Sequence, residues 1–280
     1  MASKRPEHLG PPELFYNDVE ARKYTKNSHI IQIQNEMSER ALELLALPPE
    51  KRCLLLDVGC GSGLSGEVLS EHGHQWIGFD ISEYMLKVAQ EDNECEGELV
   101  LQDMGKGCPF RPGVFDGAIS ISAIQWLCHA NSKNENPKKR LHHFFQTLYG
   151  VLDRGSRAVF QFYPESIDQS EFIMQQAQQA GFNGGLVVDF PNSTKAKKIY
   201  LVLMTGGIQK LPPGLTAEEP QSSHITNIKR RTWVTGREKN AKPIKGSRTY
   251  IMAKKERMEK QGKEVRPNTK YTGRKRRHGV

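Results

Sequence analysis

From Leu54 to Gly63 the chain reads Leu-Leu-Leu-Asp-Val-Gly-Cys-Gly-Ser-Gly, which sets Gly59, Gly61 and Gly63 directly behind an apolar run. Five apolar-flanked residues suit a buried strand, and Ser62 to His72 suits a helix, so the glycines must turn one into the other. Parallel α/β sheets place their ligands at such turns, beyond the carboxyl ends of the strands. Glycine allows the sharp bend and lets a ligand reach the backbone without meeting a Cβ atom. A dinucleotide fingerprint would require GxGxxG, yet the third position counted from Gly59 and Gly61 is Leu64. GxxxxGK[ST] occurs nowhere in the chain, so the turn is not a phosphate-binding P-loop either.

The rest of the body continues the alternation. Apolar positions Ile30, Ile33, Met37, Ala41, Leu44 and Leu45 recur at steps of three or four, which makes residues 1–49 a helical preface. Strands are expected at Leu54 to Val58, Gln75 to Ile81, Leu99 to Gln102, Gly117 to Ala123 and Ala158 to Tyr163. Helices are expected at Ser62 to His72, Glu83 to Asp92, about 136–151 and 166–180. Alternating strands and helices imply right-handed crossovers and a largely parallel sheet covered on both faces. Leu186 to Phe190 and Lys198 to Met204 have no helix between them and read as an antiparallel pair at one edge. The folded domain is expected to span 50–210, followed over 211–280 by a linker and a basic tail with a short helix from about Arg248 to Gln261.

Charge divides the chain in the same way. Residues 229–280 carry 19 Lys and Arg against 4 Asp and Glu, whereas residues 1–228 carry 21 against 28. An acidic body joined to a basic tail points to a nucleic-acid or anionic-surface partner. The five cysteines, Cys53, Cys60, Cys95, Cys108 and Cys128, are odd in number and lack CxxC spacing, so reduced thiols are expected and no metal site. No apolar run reaches the roughly 18 residues of a membrane span, and the first residues lack the apolar core of a secretory signal. A chain kept in the cytosol or nucleus, without membrane contact, is the expectation.

Acidic residues mark three strand ends. Asp57, immediately before the glycines, would repel a pyrophosphate but favour an amino or sulfonium group. Asp80, in Gly78-Phe79-Asp80-Ile81, can accept from both hydroxyls of a ribose, with Ile81 beside an adenine. Asp103 can accept from an adenine amino group while Met104 packs on the ring; alternatively Asp103 is a cap or turn residue. This constellation, over roughly residues 50–205, resembles the class I S-adenosylmethionine-dependent methyltransferases. The resemblance implies a seven-stranded Rossmann-like sheet of order 3-2-1-4-5-7-6, with S-adenosylmethionine as cofactor and Ser120 at the fourth strand end as a further contact. Tyr16 and Tyr24 in the preface either close over that cofactor or serve as ordinary packing.

The acceptor side would follow the fourth strand, where the chain reads Ser120-Ile121-Ser122-Ala123-Ile124-Gln125-Trp126-Leu127. It lacks the Asn/Asp-Pro-Pro-Tyr/Phe string of enzymes that methylate exocyclic amines, and Cys108-Pro109 reverses the Pro-Cys order of pyrimidine carbon-5 enzymes. Ring nitrogen 7 of guanine fits better, because its lone pair attacks a sulfonium methyl without a general base, leaving alignment and desolvation as the tasks of the site. Trp126 either stacks on the base or packs beneath the sheet edge. Ser122 and Gln125 are candidates for reading base edges, and Tyr163 is a further pocket candidate.

Nearly end to end, the chain resembles the eukaryotic 18S rRNA (guanine-N7)-methyltransferases of small-subunit maturation. The resemblance is carried by Arg5-Pro6-Glu7-His8, Pro11-Pro12-Glu13-Leu14-Phe15-Tyr16, Ser120 to Leu127, Asn136-Pro137, Arg154-Gly155-Ser156-Arg157-Ala158-Val159 and Pro191-Asn192-Ser193. In the tail it is carried by Lys254-Lys255-Glu256-Arg257, Gly262 to Pro267 and Tyr271-Thr272-Gly273-Arg274-Lys275-Arg276. It implies an 18S rRNA target in the pre-40S particle. It also implies a small zinc-binding activator subunit paired along the third strand, at Leu99, Val100 and Leu101; the acidic stretch Glu91 to Glu98 is the alternative cover for that edge. The tail, which interleaves Trp233, Tyr250 and Tyr271 with its charges, suits RNA phosphates and unpaired bases, nuclear import through Gly273 to Arg277, or docking on pre-ribosomal proteins. A nuclear location follows, nucleolar or nucleoplasmic, with the cytoplasm as a further location. Two other functions remain open on the residues alone: an assembly factor that acts as a scaffold, and a methyltransferase of tRNA or a small molecule.

Overall fold

The computed structural model describes residues 5–91, 95–131, 135–193, 196–207 and 210–216, and in the tail 251–252, 254–256, 258 and 265–267. The chain divides into two compact units, Met1–Ile228 and Lys229–Val280. Among the described residues of the first, seven strands form one sheet: β1 (Leu54–Val58), β2 (Gln75–Asp80), β3 (Glu98–Leu101), β4 (Phe115–Ile121), β5 (Leu152–Phe162), β6 (Asn183–Asp189) and β7 (Lys198–Met204). Their order is β3-β2-β1-β4-β5-β7-β6. The first five pair in parallel, and β7 runs antiparallel to both β5 and β6. The doubly wound sheet and the antiparallel edge pair are as the sequence led us to expect.

Among the described residues seven α-helices accompany the sheet: α1 (Pro12–Phe15), α2 (Asp18–Lys26), α3 (Ser28–Leu45), α4 (Leu64–Glu71), α5 (Glu83–Glu91), α6 (Pro137–Val151) and α7 (Ile167–Gln179). Within the helical preface, Asn27 ends α2 and caps α3, its side chain accepting from His29 N and Ile30 N. Asn136 and Ser166 cap α6 and α7 in the same way, and Pro137 opens α6 with a φ already suited to a helix.

Alternate residues of each central strand feed opposite faces. On one face Leu56, Val58, Ala118, Phe160 and Leu201 pack with Phe144, Phe145 and Leu148 of α6. On the other, Leu55, Ile119, Val159, Tyr200 and Val202 pack with Met37, Ala41 and Leu44 of α3. Each Leu, Val, Ile, Met or Phe among them contributes about 1.5–3 kcal/mol of burial. Trp76 fills the space left by two glycines, since a Cβ on Gly66 or Gly97 would lie 2.1 or 2.2 Å from its ring.

Two boundaries differ from the sequence reading. β5 starts at Leu152 instead of Ala158, because its first half is an exposed segment turned by Gly155 at φ +88° and lacks an apolar pattern. The ordered chain also runs past 210: Phe190 N donates to Leu215 O at 2.7 Å, Leu215 N donates to Asp189 Oδ1 at 2.7 Å, and Leu211 is buried. Arg40 of α3 locks this corner through Asp189 (3.0 Å) and the Pro213 carbonyl (2.9 Å). In the second unit, residues 251–252, 254–256 and 258 are helical, within the stretch expected to be so. Trp233, Tyr250, Tyr271 and Gly273 to Arg277 lie outside the described residues. No helix among the described residues is long and apolar enough to cross a membrane.

Candidate active site

A cleft of about 1070 Å³, open water at its mouth included, lies beyond the carboxyl ends of β1, β2, β3 and β4. It gathers Tyr24, Gly59, Gly61, Asp80, Ile81, Asp103, Met104, Ser122 and Trp126 from the residues that the sequence singled out. The glycine turn shapes its floor. Gly59 and Gly61 hold φ of +70° and +53°; a Cβ on Gly59 would lie 2.4 Å from Ala123 Cβ, and one on Gly61 would lie 3.0 Å from Met85 Cε. Gly59 therefore needs glycine twice over, for backbone conformation and for space, whereas Gly61 needs it for the backbone, since the flexible end of Met85 can give way.

Asp80 ends β2 with each oxygen held by a backbone amide: Oδ2 accepts from Gly61 N at 3.0 Å and Oδ1 from Ser82 N at 2.8 Å. Burial raises its carboxyl above the usual range, and the two amides oppose that rise. Asp103 takes the cap position that its sequence allowed. It caps a 3-10 turn, accepting from Gly105 N at 2.8 Å, and it lines the cleft. Arg140 of α6 approaches its two oxygens at 2.8 and 3.0 Å and also meets Glu135 at 3.2 Å.

The roof comes from the preface. Tyr16 and Tyr24 both line the cleft with ring centroids 6.0 Å apart, and Tyr16 stands 6.0 Å from Trp126. Trp126 is buried and also lines the cleft. Burial pushes both tyrosine hydroxyls well up, so they stay protonated donors. The preface is fastened on both sides: Ser82 Oγ donates to Tyr16 O at 2.8 Å, and Arg5 donates to the carbonyls of Tyr163 (2.7 Å) and Pro164 (3.2 Å). His8 bonds Glu165, which His129 approaches at 3.2 Å. These two imidazoles and one carboxylate gather their ligand atoms within 4.8 Å, and the direct His8–Glu165 contact makes them a clasp for the preface.

Five residues proposed from the sequence fall outside the cleft lining. Asp57 lies fully buried beneath the turn, with Oδ2 accepting from Ser65 Oγ at 2.5 Å and Oδ1 without a partner among the described residues. Burial, followed by the charge of Asp80, raises its carboxyl to about 7. Gly63 is the N-cap of α4 and faces Cys95, whose Sγ would lie 2.1 Å from an added Cβ. Ser120 ties β4 to β1 by donating to Val58 O at 2.8 Å. Gln125 is buried and donates to Ser122 O at 2.9 Å, which braces the turn instead of presenting an amide to a base. Tyr163 accepts from Lys198 Nζ at 2.9 Å and lies under that ammonium, 5.2 Å from ring centroid to nitrogen. Ser122 itself sits at φ +57°, a costly conformation for a residue with a Cβ, held by its bonds to Gln161.

Sequence reasoning missed Arg140, Glu13, Gln34, Gln102, Asn131 and Glu135 in the lining. Arg140 is one of several basic residues at the start of α6, and only the crossing of α6 behind the third strand end brings it to Asp103.

The donor set suits S-adenosylmethionine. Bare backbone at Gly59 and Gly61, the anchored carboxylate of Asp80 and the thioether of Met104 match a nucleoside lying over the turn, and the unpaired oxygen of Asp57 beneath the turn favours a nearby positive charge. A methyltransferase-domain family model matches residues 56–160, and one described as "methyltransferase involved in Williams-Beuren syndrome" matches residues 203–278. The magnesium protoporphyrin IX methyltransferase of Synechocystis, solved with S-adenosylmethionine, shares the fold at 16% identity and a TM-score of 0.52, over 73% of this chain and 99% of that one. Fold and cleft together define a class I methyltransferase that uses S-adenosylmethionine.

Over 274 residues the chain is 56% identical to the 18S rRNA (guanine-N(7))-methyltransferase of Mus musculus, covering 98% of this chain and 97% of that protein. It is 49% identical to the 18S rRNA (guanine(1575)-N(7))-methyltransferase of Saccharomyces cerevisiae, over 98% of each. The chain belongs to the 18S rRNA (guanine-N(7))-methyltransferase family.

Proposed function

We propose that this chain methylates ring nitrogen 7 of a guanosine in 18S rRNA, within the pre-40S particle in the nucleus. The observation that carries the reading is identity of about half over nearly the whole chain to relatives so named, tail included. Bound S-adenosylmethionine supplies an electrophilic methyl group on a sulfonium centre. The chain's own work is placement: Asp80 takes ribose hydroxyls with the lone pairs left free by its two amides, and the Arg140-fixed Asp103 faces the adenine end. Tyr16, Tyr24 and Trp126 keep water from the acceptor side, and N7 brings its own lone pair, so no general base is required.

A small zinc-binding activator subunit is the partner that fits the edge strand β3, whose Leu101 is 57% exposed while Leu99 and Val100 are part-covered. The test is to map 7-methylguanosine in 18S rRNA by borohydride and aniline cleavage after depletion of the protein. Loss of one cleavage site, restored by the wild-type chain but not by a cofactor-site variant, is expected. An unchanged cleavage pattern rules the activity out and leaves a scaffold role in subunit assembly.

A further inference from the structure

Four carboxylates line the cleft: Glu13, Asp80, Asp103 and Glu135. Three are committed to partners within the protein. Asp80 holds the amides of Gly61 and Ser82, Asp103 holds Gly105 N and Arg140, and Glu135 holds Arg140 and Asn131 N. Glu13, on the short helix α1, has no hydrogen-bond or ion-pair partner among the described residues. It is exposed, three residues ahead of Tyr16, whose ring meets Trp126, so a hydrated carboxylate without a protein partner among those residues stands where the cleft opens to water. Such a group is costly once a ligand excludes water, unless that ligand donates hydrogen bonds to it.

Guanine carries a matching pair of donors. Its N1–H and N2–H₂ lie side by side on the edge away from N7, and a carboxylate's two oxygens accept both at once. Adenine presents an acceptor at N1 and would be repelled. A base that directs N7 at the methyl donor turns this donor edge away from it. We propose that Glu13 selects guanine in the acceptor pocket by accepting from N1–H and N2–H₂ of the target base. This rests on the guanine-N7 reading above and adds the residue that enforces it.

The test uses full-length protein purified from its own cells with the subunits that accompany it. The substrates are synthetic RNAs carrying guanosine or inosine at the target, because inosine keeps N7 and N1–H but lacks the 2-amino group. Wild type is expected to favour guanosine by about 10-fold or more. Glu13→Ala should lower kcat/KM on guanosine by about 10- to 100-fold, with a smaller loss on inosine, so that the ratio collapses toward one. Glu13→Gln, which keeps the shape and one acceptor, should fall between. Cofactor affinity, read by calorimetry, should change less than about 3-fold. An unchanged guanosine-to-inosine ratio overturns the proposal, as does an equal loss on both RNAs with weakened cofactor binding, which would assign Glu13 to the cofactor. If wild type places no methyl on N7 of these RNAs or of 18S rRNA in pre-40S particles, the guanine-N7 reading fails, and the proposal falls with it.

Discussion

Ser65 donates to Asp57 across 2.5 Å, and that hydroxyl is the sole partner, among the described residues, of a carboxyl sealed beneath the glycine turn. Burial raises Asp57 from 3.8 to about 7, so the folded chain holds this proton more tightly than the unfolded chain does. Its contribution to stability is therefore full below about pH 4 and declines as pH rises through about 7, by at most about 4 kcal/mol. Denaturant titrations of the cofactor-free protein between pH 4.5 and 8 should show this decline, and Asp57→Asn should flatten it. Parallel profiles for the two proteins would refute the assignment.

Gly59 and Gly113 make a matched pair for the turn. Both hold positive φ, at +70° and +66°, but an added Cβ meets Ala123 at 2.4 Å in the first and nothing within 4 Å in the second. Gly113→Ala should cost about 1 kcal/mol of backbone strain and leave cofactor binding intact. Gly59→Ala should carry the same strain and also push Ala123 and the acceptor turn aside, with a loss of at least about 10-fold in S-adenosylmethionine affinity by calorimetry. Equal effects at the two positions would show that backbone conformation alone sets the cost.

This contrast also shows how far the sequence could be read. Apolar runs that end in Gly59, Asp80 and Asp103 identify the strand ends, because β-strands and the turns after them leave local patterns of alternation and glycine. Depth leaves no such trace: Asp57 and Asp80 look equivalent in the chain, yet one is sealed under the turn and the other faces the cleft. Contacts made across the fold are equally silent. Arg140 reaches Asp103 from 37 residues away, and Leu215 pairs with Phe190 from a proline-rich stretch that carries no periodicity.

Arg140 fixes two carboxylates at once, Asp103 at 2.8 Å and Glu135 at 3.2 Å, in a partly buried setting. Arg140→Ala would leave both without their cation, and breaking such a pair costs more than the pair contributes. The expected loss is about 1–3 kcal/mol, which appears as a 5- to 100-fold rise in the KM for S-adenosylmethionine and a lower Tm. Arg140→Lys should recover only part, since one ammonium cannot serve both carboxylates with the planar fork of a guanidinium. Full recovery by Lys would reduce the role of Arg140 to bulk charge.

The opposed charges of the two units predict a salt effect. Residues 1–228 carry 21 basic against 28 acidic side chains, so the body by itself repels RNA phosphates, whereas 229–280 carry 19 against 4. Each phosphate contact on a single strand releases about 0.7 counterion, so even five contacts from the tail give a log-affinity slope of about −3.5 against log salt. Full-length protein should therefore bind an 18S rRNA fragment with steep salt dependence, and a chain ending at Ile228 should bind weakly with a slope near zero. Stacking by the aromatic residues Trp233, Tyr250 and Tyr271 would be separable from this effect, because it does not depend on counterion release. Replacing the three with Ala should lower affinity and leave the slope in place. Equal slopes for the full and truncated chains would move the RNA-binding surface from the tail to the body.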